Sequence, residues 1–565
     1  MNIRIVYGLV IFFLLLIIPG CSQGNGKDTG EDTPVILIAG SSVNVPHDAT
    51  TADVKFNGAL GLALTGADFT VISGDASIMS AYVVGNTATV IITFSANDVK
   101  AKKQFVIGIS PESEKIKGDA AVTITQNANP VAALPPLFQS NLIWGITYTH
   151  YHWDTSGNTI ARERARNLLR DVSSIYNVHI MGWGSGNPWP VKTGPYYFND
   201  IRSRVNTTIT LGGEPWITFC TAPGWMKGTG DWNMDAAPLP EFEDDFAVLC
   251  AAIAAEFPEV KVFQVWNEFK GMWSGSNIDH VRYTRLYNKV YNAVKAVRPD
   301  AIIGGFYHVM EGDGSRETFG ALVSNNRHTS VPVISQEITA INYFLDNADG
   351  FDLFLVDRAN VDYHNDNYFP GSSGTFRPTR DQAMQLTKYF QKATKDIAEL
   401  TSKPIVWSEY YGTFGDGTNN GNGAEFLPIN SQYIAAHYAS IIYNMIMGAG
   451  GRDLYALLWL EAENDIRHAL FTDVGNSNGG QVTPHYHAMK KLVDNFPKGT
   501  MLYTADLSIQ GVEDNLVHDR TEALVSNKVA LVINKTNTNI SVTLNDEIYQ
   551  LSPYAVEVFN LGENP

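Results

Sequence analysis

From Val35 to Gln126 apolar and polar residues alternate in short runs, PVILIA, DFTVIS, ATVIITF, KQFVIGI and AAVTITQ, parted by Gly, Asn, Asp and Ser. Nothing there repeats at helical spacing, so the pattern predicts a small Ig-like β-sandwich over residues 35–126. The next segment, NANPVAALPP, predicts a stiff linker over 127–138. Beyond Phe138 short apolar runs alternate with amphipathic stretches, the pattern of βα units. Strands are predicted at 142–148, 178–183, 215–221, 262–266, 301–306, 352–356, 404–410 and 455–461. Between them, residues 279–297 place Tyr283, Leu286, Val290, Val294 and Val297 on one helical face. Residues 380–400 do the same with Leu386, Phe390, Ala393, Ile397 and Leu400, opened by a capping box from Thr379 to Gln382. Eight such strands predict an α/β fold, a (β/α)8 TIM barrel over 139–495. An open doubly wound sheet would read similarly up to the sixth strand, but no glycine-rich phosphate loop follows the first. KVALVIN, NISVTL, EIYQL and AVEVFNL then return to β alternation and predict a C-terminal β domain over 496–565.

A chain of 565 residues with 44% apolar and 17% charged residues is long enough for several folded domains. Its start adds an address: Arg4 precedes an apolar run from Ile5 to Ile18, short for a spanning helix, and IIPGCSQG follows. That stretch resembles a bacterial lipobox, which implies a signal peptide over 1–21 and lipidation of Cys21. The membrane is then a partner through a lipid anchor only. Residues 22–34, SQGNGKDTGEDTP, read as a flexible tether. Ser22 resembles the outer-membrane sorting pattern, and the acidic tether is similar to the surface-export signals of Bacteroidetes lipoproteins. An outer-membrane lipoprotein is expected, with its periplasmic and cell-surface faces both open.

Cys220 and Cys250 fall in apolar elements, which predicts buried thiols rather than a disulfide framework. A net charge of −18 without a basic concentration excludes nucleic acid as a general partner. Oligomeric state is left open.

In a barrel, chemistry collects where strands end and βα loops begin. Trp144 and Trp407 fit core packing, whereas Trp183, Trp189, Trp225, Trp232 and Trp273 stand in Gly-rich loops, either as platforms for a sugar-like ligand or as local packing. Glu268 follows the fourth strand in VFQVWNE, and Glu409 ends the seventh in PIVWSEY. Strands four and seven face each other across a barrel, so both carboxylates are expected in one mouth. A neutral amide beside the acid, Asn267, can hydrogen-bond a sugar 2-hydroxyl without adding charge. His150 and His152 near the first strand's end are candidates for holding sugar hydroxyls. Further acids, Asp357, Asp362, Glu461, Glu463 and Asp465, with His364 or His468, form no close-spaced metal-ligand pattern, and no cofactor is expected.

With WNE after the fourth strand and SEY at the seventh, the barrel resembles a clan A retaining glycoside hydrolase. APGWM after the third strand, IIGG at the fifth and the C-terminal β domain are similar to family 39, the β-xylosidase-like enzymes. Two departures stand: no proline follows the glutamate in WNEFKG, and SEYYG replaces Thr-Glu-Trp. The resemblance implies Glu268 as acid/base, Glu409 as nucleophile, His364 as an orienting group and Trp459 as the floor under the cleaved sugar. It implies a carbohydrate substrate, an extracellular β-linked oligo- or polysaccharide. The alternatives are a non-catalytic glycan-binding lipoprotein on a degenerate barrel, and an inverting or transglycosylating enzyme on the same fold.

Overall fold

The computed structural model describes residues 35–99, 101–129, 134–148, 153, 157–182, 184–274, 277–312, 335–361, 380–412, 431–460 and 469–561. The chain divides into two compact units, residues 1–128 and 129–565. Among the described residues no helix is long and apolar enough to cross a membrane.

The first unit is built on two four-stranded sheets. One orders Val43–Val45, Ala121–Gln126, Lys103–Ile109 and Phe69–Ser73; the other orders Ile38–Ala39, Thr51–Asn57, Thr87–Phe94 and Ala76–Val84. Strand alternation makes the core: Ala52, Val54 and Phe56 are buried while their neighbours along the strand are exposed. They pack with Val90, Ile92, Ile107 and Ile124 in one apolar cluster.

The second unit holds a closed parallel barrel. Its strands are β1 (Leu142–Tyr148), β2 (Ile175–His179), β3 (Glu214–Phe219), β4 (Val262–Val265), β5 (Ile302–Gly312), β6 (Leu353–Val361), β7 (Ile405–Tyr410) and β8 (Leu454–Leu460). Pairing of β1 with β8, from Leu142 with Leu454 to Tyr148 with Leu460, closes the ring. Three strands differ from their sequence expectation. β2 begins three residues before the expected 178 and ends at His179, because the inward Asn177 interrupts the apolar run that marked the strand. β5 and β6 run to Gly312 and Val361, well past the expected ends at 306 and 356.

Inward residues form layers. Ile175, Trp216, Val262, Leu355, Val406 and Leu457 pack in one apolar cluster inside the ring. Two residues further along their strands come Asn177, Thr218, Gln264 and Ser408, all buried. A polar belt links this level: Thr218 donates to Asn177 Oδ1 at 2.9 Å, Asn177 Nδ2 donates to Thr147 Oγ1 at 3.4 Å, and Thr147 donates to the Ser408 carbonyl. Asp357 stands two residues past Leu355, and His179 and Glu409 follow Asn177 and Ser408 along their strands, all three buried.

Gly305 fixes how closely the outer helices approach β5. A Cβ there would lie 2.3 Å from Tyr287 Cε2 and 2.6 Å from Phe344 Cζ. Gly305→Ala is therefore expected to cost about 1–3 kcal/mol through overpacking, read in calorimetry as a lower melting temperature for the barrel.

The expected helix at 279–297 is His280–Val297, with Tyr283, Leu286, Val290 and Val294 buried. Val297 departs from the expectation and is 48% exposed: it lies on the right side of the helix but is its final residue. The expected helix at 380–400 is two segments, Arg380–Leu386 and Lys388–Leu400, parted at Thr387, whose hydroxyl donates back to the Met384 carbonyl at 2.8 Å. Thr379 lies outside the described residues.

The C-terminal part adds a five-stranded sheet, ordered Pro136–Ser140, Thr500–Tyr503, Thr521–Val525, Val529–Asn534 and Val556–Asn560. Residues 136–138, expected in a linker, are thus part of an edge strand, where a proline is tolerated because its nitrogen need not donate. A three-stranded sheet of Leu507–Ile509, Ile540–Leu544 and Glu547–Leu551 accompanies it. A buried ion pair lies where this part meets the barrel. Lys535 Nζ is 2.7 Å from Glu522 Oε1, which also accepts from Asn444 on the barrel helix Gln432–Ala449 at 3.1 Å.

Candidate active site

Glu268 and Glu409 meet at the mouth of the barrel, together with a third acid. One carboxylate oxygen from each of Glu268, Asp357 and Glu409 lies within 4.8 Å of the other two. Asp357 on β6 pairs in register with Glu409 on β7, with irregular pairing on both sides of this point. Asp357 and Glu409 are buried, and the Glu268 side chain is 12% exposed.

The chain reaches this geometry through unusual backbone. Trp266, Glu268 and Phe269 have φ of 69°, 48° and 54°, and on β5 Phe306 and Tyr307 have φ of 89° and 30°. Non-glycine residues in this region are strained and persist where packing dictates them. Here Phe269 stacks on Tyr283 with centroids 4.1 Å apart and meets Phe306 edge-on at 5.2 Å. Gly271, φ 71°, completes the turn, and a Cβ there would lie 2.2 Å from the Ala237 nitrogen.

Glu409 Oε1 is surrounded by neutral donors. Tyr307 OH donates to it at 2.8 Å. The Asn267 amide, oriented so that each end meets its complement, donates to Glu409 Oε1 and to Tyr307 OH at 3.2 Å each, while its oxygen accepts from Lys270 Nζ at 3.2 Å. His179 Nε2 lies 3.4 Å from the same Glu409 oxygen and 3.5 Å from Tyr307 OH. Burial, then the Lys270 charge, push His179 down to about 3, so it is neutral. Its Nδ1 has no partner among the described residues, which assigns the hydrogen to Nε2, facing Glu409. Burial, followed by the Glu409 and Asp357 charges, holds the Tyr307 phenol protonated. Such a set favours a charged carboxylate at 409.

Glu268 has a different neighbour: Lys270 Nζ lies 2.7 Å from Glu268 Oε2. Burial alone would lower the Lys270 pKa, but the Glu268 charge beside it leads the effects that raise it instead, and the ammonium stays charged. Cys220, just past β3, is buried, and burial raises its pKa so that it remains a thiol; Cys250 is likewise buried and unbridged. Three acidic oxygens this close would suit a hard cation, but the Lys270 ammonium already supplies positive charge against Glu268.

Sequence reasoning placed Asn267, Glu268 and Glu409 here. It missed His179, Tyr307 and Lys270, and considered Asp357 as a metal ligand alone. Trp459, at the end of β8, is half-buried with its ring 5.0 Å from Tyr411. Trp225 is half-buried and drawn into loop packing: it meets Trp189 edge-on at 5.0 Å and Phe242 at 5.5 Å, and its Nε1 donates to the Trp189 carbonyl. Trp189 is buried in the same cluster, whereas Trp232 and Trp273 are 58% and 45% exposed. Cys21, His150, His152, Trp183 and His364 lie outside the described residues.

No family model matches the chain, and no curated protein matches it. Among solved structures it is similar to a family 39 glycoside hydrolase from the gut symbiont Bacteroides cellulosilyticus WH2, at 14% identity and TM-score 0.43, covering 93% of this chain and 98% of that one. It is similar to SrfJ from Salmonella typhimurium, at 12% identity and TM-score 0.48, covering 74% and 89% of the two chains. It is also similar to a monomeric β-xylosidase from Caulobacter crescentus CB15, at 15% identity and TM-score 0.43, covering 71% and 74%.

Proposed function

We propose that this chain is a retaining glycoside hydrolase acting on β-linked oligo- or polysaccharide outside the cytoplasm, tethered to the outer membrane through a lipidated Cys21. The observation that carries the reading is the approach of Glu268 to Glu409, with carboxylate oxygens within 4.8 Å. Retaining enzymes hold their two carboxyl groups about 5–5.5 Å apart, whereas inverting ones leave roughly 6.5–9.5 Å for a water.

In the first step Glu409 attacks the anomeric carbon, the glycosidic C–O bond breaks, and the proton on Glu268 passes to the departing oxygen. In the second, Glu268 takes a proton from water, whose oxygen displaces Glu409 from the same carbon and restores both groups. Tyr307, Asn267 and His179 act on the nucleophile by holding one of its oxygens, Oε1. Close carboxylates disfavour simultaneous ionisation, so Asp357 and Glu409 both help Glu268 to hold its proton. Tyr307 and His179 orient the nucleophile in this reading, and His364, expected to do so, lies outside the described residues.

Two measurements test this. Proton NMR of the first sugar released from a hydrolysed aryl glycoside should show the anomeric configuration of the substrate; release of the opposite anomer would overturn the double displacement. Tyr307→Phe should lower kcat by about 10–100-fold while leaving the fold intact, since it removes one hydrogen bond to a charged group, worth about 1.5–3 kcal/mol.

A further inference from the structure

We propose that Lys270 is a positioning residue for Glu268: its ammonium favours and holds the ionised carboxylate against the opposing charges of Asp357 and Glu409, and Glu268 delivers a proton to a departing sugar oxygen from its protonated form, released from that pair. The proposal rests on the reading of Glu268 as proton donor.

The geometry is local and built by the chain itself. The left-handed residues Glu268 and Phe269 reverse the backbone, the Lys270 amide donates to the Asn267 carbonyl at 3.0 Å, and the lysine side chain comes back onto the acid two residues before it. Nζ then contacts Glu268 Oε2 at 2.7 Å and Asn267 Oδ1 at 3.2 Å. One cation thus braces both the acid and the amide that touches Glu409.

Other groups face Glu268 from the surrounding strands. Asp357 on β6 and Glu409 on β7 carry like charge and oppose its ionisation. His179 on β2 is neutral, Tyr307 on β5 is protonated, and Cys220 after β3 is a thiol. Arg204, on the helix Asn199–Thr210, acts on His179. Among the described residues, Lys270 pulls the other way, because a cation at hydrogen-bonding distance favours the charged carboxylate. A charged Glu268 suits the second step, where it must accept a proton, and hinders the first, where it must give one. Lys270 therefore sets the pH at which the first step fails. Removing it should raise the pKa of Glu268 and move the basic limb of the kcat/KM profile to higher pH.

The experiment compares wild type, Lys270→Met, Lys270→Gln and Lys270→Arg on two aryl glycosides of whichever sugar the wild type hydrolyses, one phenyl and one dinitrophenyl. A dinitrophenolate departs without a proton, so the acid is not needed for its release. With the phenyl glycoside the basic limb of the Met and Gln variants should lie about one pH unit above wild type; the Arg variant should follow wild type. With the dinitrophenyl glycoside the limbs should coincide. A phenyl limb unchanged in both neutral variants, or a shift of equal size with both leaving groups, overturns the proposal. Glu268→Gln run in parallel separates the two claims: if it hydrolyses the phenyl glycoside as wild type does, the donor reading itself fails. If it is slow while the neutral Lys270 variants match wild type, the inference about Lys270 alone falls.

Discussion

Glu409→Gln should lower kcat/KM by about 10⁴-fold or more, because an amide of the same shape cannot form the covalent bond to the anomeric carbon. The fold should survive: Glu409 Oε1 accepts from Tyr307 at 2.8 Å, and an amide oxygen can accept the same bond. Glycan affinity should therefore persist, and isothermal titration with a slowly hydrolysed substrate measures it. Glu268→Gln should behave differently, losing about 10²–10⁴-fold with a poor leaving group, the range of general acid catalysis, and much less with dinitrophenolate. A Glu409→Gln protein that kept a tenth of wild-type turnover would end the assignment. Wild-type protein that bound glycans without cleaving any would instead support the binding alternative.

Glu522→Ala should be the most destabilising substitution away from the mouth, at about 3–5 kcal/mol. It strands the Lys535 ammonium, fully buried and 2.7 Å from its partner, and removes the acceptor used by Asn444. The cost comes from a charge left without compensation rather than from the attraction itself. Replacing both members, Glu522→Leu with Lys535→Met, should therefore recover most of the loss. Calorimetry on the three variants decides it: a double variant as unstable as the single one would show that shape, not charge, is at stake.

The two glutamates were legible because each ends an apolar strand with a short motif that interrupts it, and opposite strands of a barrel share one mouth. The residues around them were not, for the reason that makes them useful. A polar side chain aimed into a barrel looks, in sequence, like the end of a strand: Asn177 broke the run in IYNVH, so β2 was displaced, and His179, inside the expected strand, went unnoticed. The expected fifth strand stopped at Phe306, whereas β5 bulges at Phe306 and Tyr307 and carries on, turning Tyr307 toward Glu409. Left-handed non-glycine residues have no sequence signature. The departure from the proline expected after the glutamate falls at Phe269; Lys270 beside it carried no signal, and its purpose appeared with the turn.

That turn has a thermal consequence. Its three non-glycine residues in a sterically disfavoured conformation, with Phe306 and Tyr307 on β5, each costing about 1–3 kcal/mol, are kept in place by ring contacts such as Phe269 on Tyr283. On warming, this spring-loaded corner should relax before the hydrogen-bonded ring of strands comes apart. Catalysis would then fade several degrees below the melting of the barrel, and a ligand occupying the mouth would narrow the gap.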